Sequence, residues 1–275
     1  MTAHTSGFTL HPLARAIALA TATTPALAVA QTAEESEQVA GALEEVIVTA
    51  TKRSVNMQDL PMSIEAFNTE QIEKMGLLNM QDYLKVIPSM STVTTVPGRN
   101  EVVFRGVSTG SGEWRTDSGS AVYLGDVPMT SATQAVDPRM VDIERVEALP
   151  GPQGTLFGSS SQSGALRIIP NRADHRSAYG SVNIGGTYME EGDPGYQLEG
   201  FGNVPRIDDT LTMRLALFDV ETGGYIDNIY GTNIFTDDDN ADVVEDDFNT
   251  WEQTGGRLSV LWTINDSWDV DAMYM

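Results

Sequence analysis

From residue 178 onward, apolar positions recur every second residue. Ala178, Val182, Ile184 and Tyr188 alternate with Ser181, Asn183 and Thr187, and Tyr196, Leu198 and Val204 alternate with Gln197, Glu199 and Asn203. Leu211, Met213, Leu215 and Leu217 alternate with Thr212 and Arg214; Leu258, Val260 and Trp262 with Arg257 and Ser259; Trp268, Val270, Ala272 and Tyr274 with Asp269 and Asp271. Successive β-strand residues point to opposite faces, so a period of two predicts strands with one apolar face. Five such strands are expected here, each near the ~10 residues of a transmembrane strand, with Tyr188, Trp262 and Trp268 close to the ends where interfacial aromatics sit. A soluble sandwich would alternate in the same way, and the connections discriminate. Residues 205–209 and 264–267 form short links while 219–250 forms a long one, matching the short periplasmic turns and long outer loops of a membrane barrel.

Between residues 59 and 172 the pattern mixes both periods. Residues 63–67 read as a strand, and Asn68 then caps a helix whose third residue, Gln71, can reach back to it, with Gly76 as the stop. A second short helix is expected over 80–86, with Leu84 on its apolar side, ending before Pro88, which biases Ile87 away from helical geometry. Further strands are expected at 101–105, 121–124, 145–149 and 165–169, separated by Gly-, Ser- and Pro-rich segments. The sum is a compact α+β domain of about 115 residues.

Ahead of this domain, residues 31–43 are small and acidic with no apolar face, as expected of a flexible tether. Glu45-Val46-Ile47-Val48-Thr49-Ala50 then places three β-branched apolar residues together without an evident partner strand nearby. Such a segment suits addition to another protein's sheet edge, and equally the first strand of the domain that follows. The N-terminus reads as an address. Arg15 precedes an apolar run over 16–22, Pro25 breaks it, and Ala28-Val29-Ala30 offers a small-x-small cleavage signal before Gln31, which predicts a cleaved signal peptide over 1–30.

Composition removes several functions. The 16 Lys and Arg stand against 39 Asp and Glu, a net charge of −23, so the cationic face that nucleic acid requires is not available. The absence of cysteine excludes disulfides and thiolate chemistry. Of His4, His11 and His175, two fall in the signal peptide; His175, beside Arg172 and Arg176, reads as a solvated linker residue. Asp126, Asp137 and Asp142 lack a nucleophile and base motif, so neither catalysis nor a cofactor is expected. The long link carries Asp227, Asp237, Asp238, Asp239, Asp242, Glu245, Asp246 and Asp247. It lacks the glycine and ligand spacing of a helical calcium loop and reads as a solvated acidic loop rather than a Ca²⁺ site.

A set of motifs gives the pattern a family. Val103-Phe104-Arg105-Gly106, Val122-Tyr123-Leu124-Gly125-Asp126-Val127-Pro128, Ile143-Glu144-Arg145-Val146-Glu147, Gly151-Pro152-Gln153-Gly154-Thr155-Leu156-Phe157-Gly158 and Gly164-Ala165-Leu166-Arg167-Ile168-Ile169 resemble, in order, the motifs of the plug domain of TonB-dependent outer-membrane receptors. Glu45 to Ala50 resembles their TonB box, and Gly223-Gly224-Tyr225-Ile226-Asp227-Asn228 resembles a segment common after the third barrel strand.

The resemblance implies an α+β plug domain (59–172) followed by the first antiparallel strands of a transmembrane β-barrel (173–275), incomplete as written, behind a leader (31–58) that holds the TonB box. It implies uptake of a scarce bulky solute, a ferric siderophore or a non-iron substrate such as oligosaccharide or cobalamin, across a Gram-negative outer membrane. TonB, with ExbB and ExbD, would grip Glu45, Val46, Ile47, Val48, Thr49 and Ala50 by β-augmentation. Arg105, Glu144, Arg145 and Glu147 are expected in ion pairs between plug and barrel wall, and Gly151, Gly154 and Gly158 as backbone-permissive turn positions. Residues 31–43 are too few for the extra domain of signal-transducing relatives. Five strands cannot close a barrel when the smallest have ~8. The sequence is therefore expected to be a fragment of a receptor in contact with outer-membrane lipid, or a truncated remnant with a periplasmic plug.

Overall fold

The computed structural model describes residues 46–50, 52–96, 98–109, 118–131, 134–207, 210–232, 235 and 238–275. The expected signal peptide, tether and Glu45 lie outside them. The chain forms β1 (Ile47–Val48), β2 (Val55–Asn56), β3 (Glu65–Asn68), α1 (Thr69–Met75) and α2 (Met80–Tyr83). Next come β4 (Met90–Val96), β5 (Arg99–Phe104), β6 (Ser120–Leu124), β7 (Val127–Pro128), β8 (Thr130–Ser131) and β9 (Gln134–Val136). The α+β part closes with β10 (Ile143–Pro150), α3 (Gly154–Phe157) and β11 (Gly164–Pro170). Five long strands follow: β12 (Tyr179–Thr187), β13 (Gly195–Ile207), β14 (Leu211–Thr222), β15 (Trp251–Asn265) and β16 (Trp268–Tyr274).

Local chemistry sets α1. Asn68 accepts from the Gln71 amide at 2.9 Å while Gln71 accepts from the Asn68 amide at 3.1 Å, a reciprocal capping box. Gly76 ends the helix at φ 63°, ψ 42°, the left-handed region that glycine enters without a Cβ clash. The expected second helix is shorter than its pattern. It stops at Tyr83 and continues as turns, the Ile87 amide donating to Tyr83 O at 2.9 Å ahead of Pro88.

The main sheet has the order β3-β10-β11-β6-β7, with β11 and β6 parallel and the other pairs antiparallel. A second sheet has the order β4-β5-β9-β8. Ile72, Met80, Tyr83, Ile87, Phe104, Val122, Val146, Leu166 and Ile168 fill the core between them. β4 is absent from the sequence reading because Ser91, Thr92, Thr94 and Thr95 interrupt any regular apolar period over Met90–Val96, and pairing with β5 defines it.

The five long strands form an antiparallel meander in sequence order. Its faces are inverted relative to a soluble sheet. Met213 stands opposite Val204 and Val260, and Leu215 opposite Leu258, yet Met213, Leu215, Val204 and Leu258 are all exposed. The opposite face, carrying Asn203, Thr212, Arg214, Arg257 and Ser259, is buried. A sandwich would bury the apolar row; a membrane barrel turns it to lipid. Among the described residues β12 and β16 each pair on one side only, so the sheet is open.

His175 departs from the expected solvated position. Its Nδ1 lies 2.7 Å from Thr212 Oγ1 and its Nε2 3.1 Å from Thr263 Oγ1. Beside it, the Asn203 side chain donates to the carbonyls of Asp174 and Ser177 at 2.9 Å each. The linker between the two parts of the chain is thereby held on the meander.

Candidate functional site

Two regions gather charged and polar groups from distant parts of the chain. The first surrounds residues 46–50, which are not the unpartnered segment the sequence suggested. Ile47 pairs with Asn56 and Val48 with Val55. This partner is only two residues long and carries no periodicity, so it leaves no sequence signal. Val48 and Ala50 are fully buried while Ile47 is exposed. Ala50 packs in a cluster with Ala121, Leu149, Phe157 and Ala165.

Thr49 is pinned by charged side chains of the main sheet. Its amide donates to Glu147 Oε1 at 2.7 Å, and its hydroxyl accepts from Arg145 Nη2 and Arg167 Nη1, each at 2.9 Å. Glu147 is fully buried and pairs with Arg145 Nε at 2.9 Å and Arg167 Nη1 at 2.6 Å. A carboxylate held by two guanidinium groups and a backbone amide is a strong, geometrically specific acceptor. Nearby, Lys52 reaches Asp126 at 2.6 Å. The hydrogen bond from Lys52 holds the Asp126 carboxyl below the ordinary aspartate value, against the opposing effect of burial. Lys52 and Arg167 both lie against the Phe157 ring, at 5.2 and 5.5 Å from its centroid.

The glycine-rich motif thus builds the seat for residues 46–50. Gly151 at φ 111° and Gly158 at φ 76° flank the turn that presents Phe157. Gly154 differs from the expectation: it opens α3 without positive φ, and an added Cβ would meet open space.

Arg145, Glu144 and Glu147 were expected in ion pairs with the barrel wall; among the described residues their ion-pair partners lie within the α+β part. Arg145 pairs with Glu144 and Glu147 inside the α+β part, because β10 sits between β3 and β11. Arg105 is exposed at φ 51° and makes no ion pair among the described residues.

The buried pairs that cross to the meander form the second region, at residues 137–142, while, apart from it, the exposed Arg172 meets Asp271 of β16 at 3.4 Å. Asp142 accepts from Arg214 through both carboxylate oxygens, at 2.6 and 2.7 Å. Arg257 Nη2 approaches the same carboxylate at 3.4 Å and donates to the carbonyls of Val141 and Asp142 at 3.2 and 2.8 Å. Arg139 pairs with Glu199 and donates to Gln197 at 2.9 Å. Arg214 also stacks on Phe201, 4.5 Å from its centroid, and donates to the Tyr179 hydroxyl at 2.7 Å. The sequence reading named none of these pairs. The available signal was the presence of Arg214 and Arg257 at inward positions of alternating strands.

Beside this anchor, a cavity of about 590 Å³ separates α1 and Leu77 from Ser181, Asn183 and Gln197. On the acidic link, among the described residues no three His, Asp or Glu side chains gather to hold a metal ion; Asp237 lies outside them.

Residues 56–165 match the family model of the TonB-dependent Receptor Plug Domain. By this match residues 56–165 are similar to a TonB-dependent receptor plug. It is 28% identical over 158 residues to the pesticin receptor of Yersinia pestis, an alignment covering 54% of this chain and 21% of that protein. The solved pyoverdine outer membrane receptor of Pseudomonas aeruginosa superposes with a TM-score of 0.61 at 17% identity, covering 82% of this chain and 29% of that one. The ferric yersiniabactin uptake receptor of Yersinia pestis gives 0.58 at 21% identity, over 74% and 29%. The chain thus spans about a fifth of the curated relative's length, and the structural matches extend the shared fold from the plug into the meander, which resembles the start of a receptor barrel.

Proposed function

We propose that this chain is the plug-bearing part of an outer-membrane receptor for energised uptake of a ferric siderophore. The observation that carries this reading is the plug seated on a meander whose apolar face points outward and whose polar face holds the plug through Asp142 and Arg139. The ferric-siderophore assignment draws on the relatives, whose names concern pyoverdine and ferric yersiniabactin.

In this reading residues 45–50 are the TonB box, of which 46–50 rest against the plug, and the box is released to TonB in the periplasm. TonB, with ExbB and ExbD, couples the inner-membrane proton gradient to withdrawal of the box. Val46, Ile47 and Val48 offer main-chain groups to a sheet edge of TonB, a grip that does not depend on substrate chemistry. The signal peptide ends at Ala30 and the mature receptor begins at Gln31. The plug occupies about 59–172 and the barrel starts beyond it.

Val48→Pro removes a main-chain donor and fixes φ. Energised uptake of ferric siderophore by cells should be lost while binding at the cell surface persists. Normal uptake by that variant would sink the TonB-box assignment.

A further inference from the structure

The plug is held at two places, and they differ in what remains when each is parted. At residues 46–50 the contacts on Glu147, Arg145 and Arg167 come from a neutral amide and a neutral hydroxyl of Thr49. If that segment leaves, Glu147 keeps both guanidinium partners, because all three side chains belong to β10 and β11. No charge loses its counter-charge.

At residues 137–142 the opposite holds. Asp142 and Arg139 belong to the plug while Arg214, Arg257 and Glu199 belong to β13–β15, and all five side chains are less than a tenth exposed. Parting this contact separates every charge from its partner across two bodies, which buried ions resist most strongly. Asp142 is also tied across the plug sheet. Its carboxylate accepts from Asn171 Nδ2 at 2.9 Å and its carbonyl from the Asn171 amide at 3.1 Å, so it links the start of β10 to the end of β11. It holds φ 57° as a non-glycine residue, a conformation kept only where surroundings fix it.

We propose that Asp142 is a positioning residue that keeps residues 137–142 docked on β13–β15 while residues 46–50 are withdrawn. The plug then yields from its N-terminal end and stays fixed at the root of β10. This rests on the receptor reading above.

No cysteine within these 275 residues competes with introduced thiols. Gln253 Nε2 lies 3.5 Å from the Asp137 carbonyl, so Pro138→Cys with Gln253→Cys can be joined by a reducible bis-thiosulfonate reagent in the intact receptor on cells. The readout is uptake of radioactive iron complexed by the producing strain's conditioned medium. The bridge should leave uptake unchanged. In an Asp142→Ala background, where uptake falls, the bridge should restore it, which a role confined to folding would not allow. A bridge between Lys52→Cys and Asp126→Cys, whose native side chains meet at 2.6 Å just beyond the box, should block uptake until reduced. Loss of uptake on bridging 138 to 253, reversed by reductant, would overturn the proposal, as would failure to restore Asp142→Ala protein present at normal level in the membrane. Receptor-dependent uptake missing from unmodified cells would instead remove the receptor reading, and this proposal with it; uptake undisturbed by the 52–126 bridge would remove the TonB-box assignment alone.

Discussion

Glu147 shows how much one side chain organises in this plug. It is fully buried and satisfied by Arg145, Arg167 and the Thr49 amide. Glu147→Gln keeps the shape and removes the charge, leaving two guanidinium groups facing a neutral amide. Removing one partner of a buried ion cluster costs about 3–5 kcal/mol, so urea denaturation of the protein should shift to clearly lower concentration. An unchanged midpoint would mean that the carboxylate does not organise the seat of residues 46–50. Asp137 presents the reverse case. Burial raises its carboxyl above the ordinary value, against donors from the Met80 amide and the Asn100 side chain. A carboxyl with a folded pKa above its unfolded one opposes folding once ionised. That opposition is absent below the unfolded pKa, develops as pH rises from the unfolded pKa to the folded one, and is complete above it. Asp137→Asn, which retains an acceptor for the Met80 amide, should therefore gain stability relative to the native protein as pH rises toward neutrality. A pH-independent difference in melting temperature would contradict this.

At the level of elements, the ends of α1 were readable because capping is local. Asn68, Gln71 and Gly76 lie within nine positions of one another and each makes the contact its side chain or its lack of one allows. Asn68→Ala should cost about 1 kcal/mol, measurable as faster amide exchange over Thr69–Met75; unaltered exchange there would mean that tertiary packing alone holds the helix. The five long strands were readable for a similar reason, since period two persists over each. Their ends were not: β14 runs on to Thr222 and β15 begins at Trp251, beyond the alternating cores. Pairing of Thr222 with Trp251 and of Glu221 with Glu252 extends them through residues without an apolar face. Elements of two to four residues, such as β1, β2, β8 and β9, exist only through their partners and carry no period to detect.

For the whole molecule, the decisive feature is which face of the meander meets the plug. If the exposed row faces lipid, Leu215→Arg should cost about 2–4 kcal/mol near the bilayer midplane, reducing the heat-modifiable folded form on denaturing gels. An unchanged band pattern would argue that this row faces water. The polar row determines the other relationship, the hold on the plug, through groups separated by up to 116 positions in the chain.

The sequence by itself determined the strands of the meander, the capped helix, the acidic character and, through its motifs, the plug. Each of these depends on neighbours within a few residues or on a contiguous pattern. Only the tertiary structure decided that Thr49 rests on Glu147, that Arg145 turns inward, that His175 bridges two strands, and that Asp142 meets Arg214 and Arg257. The physical reason is that a charge finds its partner by proximity in space. Among 55 Lys, Arg, Asp and Glu residues, local order offers many candidate partners and no distance by which to choose between them.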